Sequence, residues 1–229
     1  MRSRMIMCAA LIAGVSGSAM GQFADFDNET EGFLGTSYTS GGVSFFDANN
    51  VSGFYPDGAP FDDTELGSDF IIEQSTVVWN DFPGFVSFPN TLTFGRAFVP
   101  GDNVTIGPLA TASMSAAGSF TDGSLDLVYY ENGPWGGITV TLEAILGGNV
   151  VDSTSFVVAG NDPNGRDNPA ATHLAVNAPA FDSMRIYATL NGDYTTIRGL
   201  VDNVSFVPAP GALGLAGVAG LMAFRRRQR

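Results

Sequence analysis

The residues of this chain that could do chemistry are few, and most are carboxylates. Asp202 stands in Leu200-Val201-Asp202-Asn203-Val204-Ser205-Phe206. Strict alternation there would set it on one face with Leu200, Val204 and Phe206, the side expected to enter a core. A carboxylate in a core must be paired, hydrogen-bonded or metal-bound. The opening segment offers Asp25, Asp27 and Glu29 at alternate positions. If the two ends of the body meet, Asp25, Asp27 and Asp202 form a hard-oxygen set suited to Ca²⁺. The alternative is an Asp that bonds turn amides beside an extra residue bulging the strand. The run Asn161-Asp162-Pro163-Asn164-Gly165-Arg166-Asp167-Asn168 has calcium-loop spacing only in part. It lacks the distal Glu and contains Pro163, so it reads as an Asx-rich turn.

Nucleophilic catalysis finds little to work with. His173 is the only histidine, no Gly-x-Ser-x-Gly elbow or phosphate loop is present, and there is no lysine. Paired carboxylates for glycoside hydrolysis remain open in principle, because their separation is not written in sequence. Aromatic side chains that could stack on sugar rings are Trp135 and Tyr130 in Tyr129-Tyr130-Glu131-Asn132-Gly133-Pro134-Trp135, Trp79 in Val78-Trp79-Asn80-Asp81-Phe82, and Tyr55. Neighbouring Asn and Asp would bond hydroxyls, although most of the 26 aromatics must serve the core.

The elements that position these residues are strands. Ile138, Val140 and Leu142 alternate with Thr139, Thr141 and Glu143; Leu125, Leu127 and Tyr129 alternate with Ser124, Asp126 and Val128. Met184, Ile186, Ala188 and Leu190 alternate with Arg185, Tyr187 and Thr189. This period of two predicts half-buried strands. Further strands are expected at 42–46, 69–72, 91–94, 103–106, 150–158 and 199–207. Turn residues separate them at Pro56-Asp57-Gly58, Asn132-Gly133-Pro134, Gly147-Gly148-Asn149, Asp162-Pro163-Asn164-Gly165 and Asn191-Gly192-Asp193. Residues 47–66 read as a long surface loop. The expected class is all-β: a jelly-roll-like antiparallel β-sandwich spanning 22–206, flanked by an N-terminal signal helix and a short C-terminal apolar helix.

The charges divide the chain in the same way. All 23 acidic residues lie between Asp25 and Asp202. Six of the ten arginines lie in the ends, and Arg96, Arg166, Arg185 and Arg198 remain in the body, whose net charge is −19. Such a body repels phosphate backbones and anionic lipid, which disfavours nucleic acid as a partner. The only cysteine, Cys8, lies in the N-terminal segment, so a mature body would hold no disulfide or thiolate metal site.

Both ends read as addresses. Arg2 and Arg4, an apolar run from Met5 to Val15, and small residues ending Ala19-Met20-Gly21 form a secretion signal over 1–21, cleaved by signal peptidase between Gly21 and Gln22. Residues 207–229 read Val207-Pro208-Ala209-Pro210-Gly211, then Ala212 to Phe224 apolar, then Arg225-Arg226-Arg227-Gln228-Arg229. The apolar stretch spans about 20 Å as a helix, short of a bilayer core. It suits transient membrane contact with the arginines held on the cytoplasmic side. A plain membrane helix is the alternative.

This tail resembles that of PEP-CTERM exported proteins, in which a Pro-containing motif, an apolar helix and an Arg-rich end are recognised by an exosortase-type membrane enzyme. Ala209 stands where the motif of that class has Glu. The body is similar to carbohydrate-binding-module-like jelly rolls through Phe23-Ala24-Asp25-Phe26-Asp27, Tyr38-Thr39-Ser40-Gly41-Gly42-Val43-Ser44-Phe45, and a closing stretch from Phe181-Asp182 to Val201-Asp202-Asn203-Val204. The resemblance implies that the first and last strands pair. It implies an exported, non-catalytic protein of the cell surface or extracellular matrix, associated with polysaccharide. The alternative function is a secreted glycan-active hydrolase.

Overall fold

The computed structural model describes residues 21–46, 51–55, 58–61, 69–74, 89–95, 108–109, 111–130, 137–158, 171–195 and 197–209. These belong to one compact unit, Met20–Ala209. Its strands are β1 (Gln22–Ala24), β2 (Gly32–Gly35), β3 (Ser37–Ser40), β4 (Val43–Phe46), β5 (Gly53–Phe54), β6 (Pro60–Phe61), β7 (Asp69–Gln74), β8 (Asn90–Gly95), β9 (Pro108–Leu109), β10 (Thr111–Tyr130), β11 (Thr139–Leu146), β12 (Asn149–Val157), β13 (Ala171–Leu190), β14 (Asp193–Thr195) and β15 (Ile197–Pro208). The described residues contain no helix, and every pairing is antiparallel. The expected all-β class is the one observed.

Two strands of twenty residues organise the sandwich. The main ladder runs β12-β11-β13-β10-β15-β8-β7-β2, but β10 changes neighbours along its length. Its first part lies between β4, with Met114 opposite Phe45, and the end of β13, with Met114 opposite Met184. Its second part lies between the start of β13, with Leu125 opposite Leu174, and β15, with Leu127 opposite Val201. Between the parts the register breaks from Ser115 to Phe120. Ala117, Gly118 and Ser119 are exposed there, and Gly118 has φ 140°, a value open to glycine. One hydrogen-bonded path therefore supplies both layers.

The inward faces meet in one buried cluster. Phe45, Met114, Leu142 and Ile186 come from one layer, and Leu92, Leu127, Leu174, Val201 and Val204 from the other. At the level of the bend, Phe120, Phe181 and Phe206 interlock, with ring centroids 6.2, 5.1 and 5.9 Å apart. All three are fully buried. Gly123 passes beneath them: a Cβ there would lie 2.5 Å from Met184 Sδ and 2.9 Å from Phe181 Cζ. A second aromatic group joins Phe26 to Phe45 and Phe45 to Phe70 at 5.6 and 6.2 Å. Phe26 has φ 59°, which costs about 1–2 kcal/mol; complete burial of its ring offsets that by a similar or larger amount.

Most expected strands are present but several run further than alternation suggests. The periodic stretches at 124–129 and 184–190 are the ends of β10 and β13, whose other halves set Met114 and Phe120, and Leu174, Val176 and Phe181, among small or polar neighbours. The turns at Gly147-Gly148 and Asn191-Gly192 have φ of 55° and 84°, and of 55° and 96°. These are two-residue hairpin loops whose twist matches the strands. Within the expected loop 47–66, β5 and β6 form a short hairpin instead, with Gly53 opposite Phe61, closed by Tyr55 N–H to Ala59 O at 2.7 Å. Residues 103–106 and the turns at 132–134 and 162–165 lie outside the described residues. The expected pairing of the ends of the body is observed, with Ala24 of β1 opposite Val204 of β15.

The bend yields a quantitative expectation. Phe206→Ala should lower the unfolding free energy by about 3–5 kcal/mol in urea titration, because the neighbouring rings are locked and the cavity cannot collapse. Val207→Ala, on the exposed side of the same strand, should change it by no more than about 0.5 kcal/mol.

Candidate functional site

On the second half of β10, Gly123, Leu125 and Leu127 are buried, so Asp122, Ser124 and Asp126 point the other way. The register carries that polarity across four strands. Ser124 lies opposite Ala175 of β13 and Ser205 of β15, and Ser205 lies opposite Phe23 of β1. This middle row is made of small side chains ending at Phe23, which is 51% exposed. On one side Asp126 lies opposite His173. On the other, Asp122 lies opposite Asn177 and Val207. The outer rows stand about 13 Å apart at four residues' rise, so the face is a shallow trough with an aromatic end, its walls polar except at the exposed Val207.

Hydrogen bonds fix both walls. His173 Nδ1 donates to Asp126 Oδ1 at 2.8 Å, and Asn203 Nδ2 donates to Oδ2 at 3.0 Å. The His173 side chain is 63% exposed and that of Asp126 13%. Opposite, Asn177 Nδ2 donates to Asp122 Oδ1, and Thr121 Oγ1 donates to Oδ2 at 2.8 Å. Asn177 N–H donates in turn to Asp152 Oδ2 at 2.7 Å. Carboxylates tied at both oxygens keep their lone pairs in fixed directions, and exposed His and Asn present further polar atoms. Such a surface repels anions and suits the hydroxyl donors of a neutral ligand. Phe23, held by its N–H to Gly41 O at 3.3 Å, adds an apolar ring.

Asp202 is buried, at 2% exposure, but not where alternation placed it. Asn203 takes φ 51°, and the β10–β15 register shifts between Ser124 and Asp126: a bulge of one extra residue. Before it, Val201 enters the main cluster; after it, Val204 and Phe206 do. Asp202 therefore does not share a face with Val204 and Phe206. It lies with Leu200 on the reverse face, which is itself covered at Ile71, Thr93 and Leu200. Its Oδ1 accepts Asn203 N–H at 2.8 Å, the turn-amide role given above as the alternative.

Asp25 and Asp27 follow β1 and are half-buried; Asp27 Oδ1 is buried without a hydrogen-bond partner. Glu29 Oε1 accepts Ser40 Oγ at 2.6 Å. Among the described residues no three His, Cys, Asp or Glu side chains gather as a metal-holding group, so Asp25, Asp27 and Asp202 are not brought together as one. Tyr55 is half-buried and packs with Val51 and Tyr194 against a second apolar cluster. The backbone of Tyr130 ends β10 opposite Arg198. Its side chain, Trp79 and Trp135 lie outside the description. Gln22 opens β1 just after Gly21, and Pro208 closes β15 opposite Phe120; Pro210, Arg225, Arg226 and Arg227 lie outside the described residues.

The other layer carries a polar network on its outward face. Glu143 of β11 lies opposite Arg185 of β13, whose Nε and Nη2 donate to Oε2 at 3.1 and 2.7 Å. Tyr187 OH donates to Oε1 at 3.0 Å. Burial first, then the Glu143 carboxylate, pushes the Tyr187 phenol above its ordinary pKa. Arg185 Cζ lies 5.4 Å from the Tyr187 ring centre, and Tyr194 meets that ring edge-on at 5.8 Å. Both oxygens of Glu143 are engaged inside the network, so it braces the sheet. The trough residues escaped the sequence reading, although Asp122 and Asp126, like His173 and Asn177, recur four apart on strands. That spacing puts them on one face.

No protein-family model matches the chain, and no curated protein matches it. Among solved structures, the K2 cleaved adhesin domain of Lys-gingipain superposes with a TM-score of 0.45 at 13% identity, covering 82% of this chain and 99% of that one. An arabinose-bound MgGH51 α-L-arabinofuranosidase gives 0.39 at 13% identity, over 83% of this chain and 27% of the other. The enzymatically active domain of bacteriophage CBA120 tailspike protein 4 gives 0.28 at 16% identity, over 60% and 19%.

The bulge can be tested directly. Asn203→Gly should cost only the hydrogen bond to Asp126, about 1–2 kcal/mol, since glycine enters the left-handed region freely. Asn203→Val loses the same bond and should cost about 1–2 kcal/mol more than the glycine variant. Chemical denaturation of both variants reads the difference.

Proposed function

We propose that this is an exported, non-catalytic surface or matrix protein whose sandwich binds a neutral polysaccharide along the Ser124 trough. The observation that carries the reading is the trough itself: a row of small residues between two hydrogen-bonded polar walls, ending at an exposed ring. Pyranose hydroxyls would bond the walls while an apolar sugar face lies on Phe23. The net charge of −19 on the body opposes uronate- or sulfate-bearing chains.

The reading as non-catalytic rests on the sequence, which offers a single histidine, no lysine and no nucleophile elbow. Export rests on the two ends of the sequence. Signal peptidase would remove 1–21, and an exosortase-type enzyme would process the tail at 207–229 after transient membrane contact. Deleting 207–229 should release the protein from the cell surface into the medium; unchanged retention would count against sorting by the tail.

A neutral-glycan array with a reducing-end assay on the exported protein tests the binding claim. Binding without new reducing ends is expected, and Asp126→Ala and Phe23→Ala should each weaken it by about tenfold, the worth of one good contact. Turnover would replace this reading with a glycan-active hydrolase. Binding unaffected by both variants would remove it from the trough, and no binding would leave a structural scaffold.

A further inference from the structure

β15 runs on into the segment that the sequence assigns to the tail. It ends at Pro208, past the expected close of the body at 206. Pro208 lies opposite Phe120, and Ala209 N–H donates to Ser119 O at 3.3 Å. Phe206, two residues before Pro208, is fully buried. On the other side β1 sets Gln22 opposite Phe206, and a Cβ on Gly21 would lie 3.7 Å from Pro208 Cδ. Residues 207–209 are therefore the last rung of the sheet. Pro208 suits that place: without an N–H it adds no donor to the ladder, so the strand stops there.

A protease takes its substrate as an extended chain, with residues on each side of the bond lying in its groove. Backbone already paired in a sheet is open to it only while that part has peeled away. For a bond within 206–209 the peeled part includes Phe206, whose ring would have to leave the aromatic corner. We propose that the tail is cut no earlier than the bond after Ala209, so that the mature protein keeps Val207-Pro208-Ala209 as part of its sheet. In the cut the carbonyl carbon passes from nitrogen to water, giving a carboxylate, and the released segment leaves with the amine. That carboxylate then stands beyond the last rung. A cut before Pro208 would instead set it beside the buried rings of Phe206 and Phe120, where it is costly, and would lose the bond to Ser119. The placement rests on the reading that the tail is removed; it does not depend on which enzyme removes it or on the glycan reading.

Mass spectrometry of the C-terminal peptide of the protein recovered from the cell surface reads the cut. A terminus at Ala209 or beyond it, short of Arg229, is expected. A terminus at Phe206, Val207 or Pro208 would overturn the placement while leaving removal of the tail intact; a chain still ending at Arg229 would overturn both. Shielding by the sheet is read on the same protein with an added broad-specificity protease that remains active in urea. Cleavage within 206–209 should be at least about tenfold slower in the folded protein than in the urea-unfolded one, since it tracks the population of the opened end. Equal rates in the two states would mean that the sheet does not protect these bonds, and would overturn the proposal.

Discussion

A twenty-residue strand that serves two sheets has to turn from one to the other without losing the backbone pairing on either side. In this protein β10 and β13 both do so, and Phe120 lies opposite Phe181 where they turn. The three rings of Phe120, Phe181 and Phe206 fill the corner, and Gly123 lets them approach the backbone. Apolar burial at this point does more than add stability. It fixes where each long strand leaves one layer, and hence which residues of β4, β11 and β15 it meets.

The outward faces inherit their chemistry from that register. On one layer, Glu143, Arg185 and Tyr187 fall side by side and satisfy one another, so the face closes on itself. On the other, Asp122 and Asp126 are held by their neighbours while His173, Asn177 and Phe23 stay open to solvent. The bulge at Asn203 completes that second arrangement: the residue that takes the left-handed turn is also the one that binds Asp126. A flat ladder through 200–206 would send Asp202 towards the aromatic corner, where an unpaired carboxylate costs several kcal/mol.

The parts of this fold legible in the sequence are those in which large apolar residues mark the inward face. Leu125, Leu127, Ile138, Val140, Leu142, Met184 and Ile186 announce their strands. Thr111–Ala116 does not, because alanine, serine and threonine give little contrast between faces, and 171–177 marks its inward face with Leu174 and Val176 alone, a run too short to stand out. The hairpin turns were readable from Gly-Gly and Asn-Gly, whose conformational preference is local. The face of Asp202 was not, since one extra residue reverses the parity of everything after it. Asn203 was the available cue, as asparagine tolerates positive φ better than most residues. The trough stayed hidden for a different reason: Ser124, Ala175 and Ser205 are ordinary solvent-face residues until pairing across three strands sets them in one row.

The central claim is that the bend makes both layers a single cooperative unit. Native-state hydrogen exchange by NMR tests it most directly, through the amides of Ala112 and Met114 on one side of the corner and Leu125 and Leu127 on the other. These amides should exchange with a common free energy equal to that of global unfolding, and Phe206→Ala should lower it for both sets equally. If one set exchanges through its own opening while the other remains protected, the two layers are separate units, and the aromatic corner does not join them.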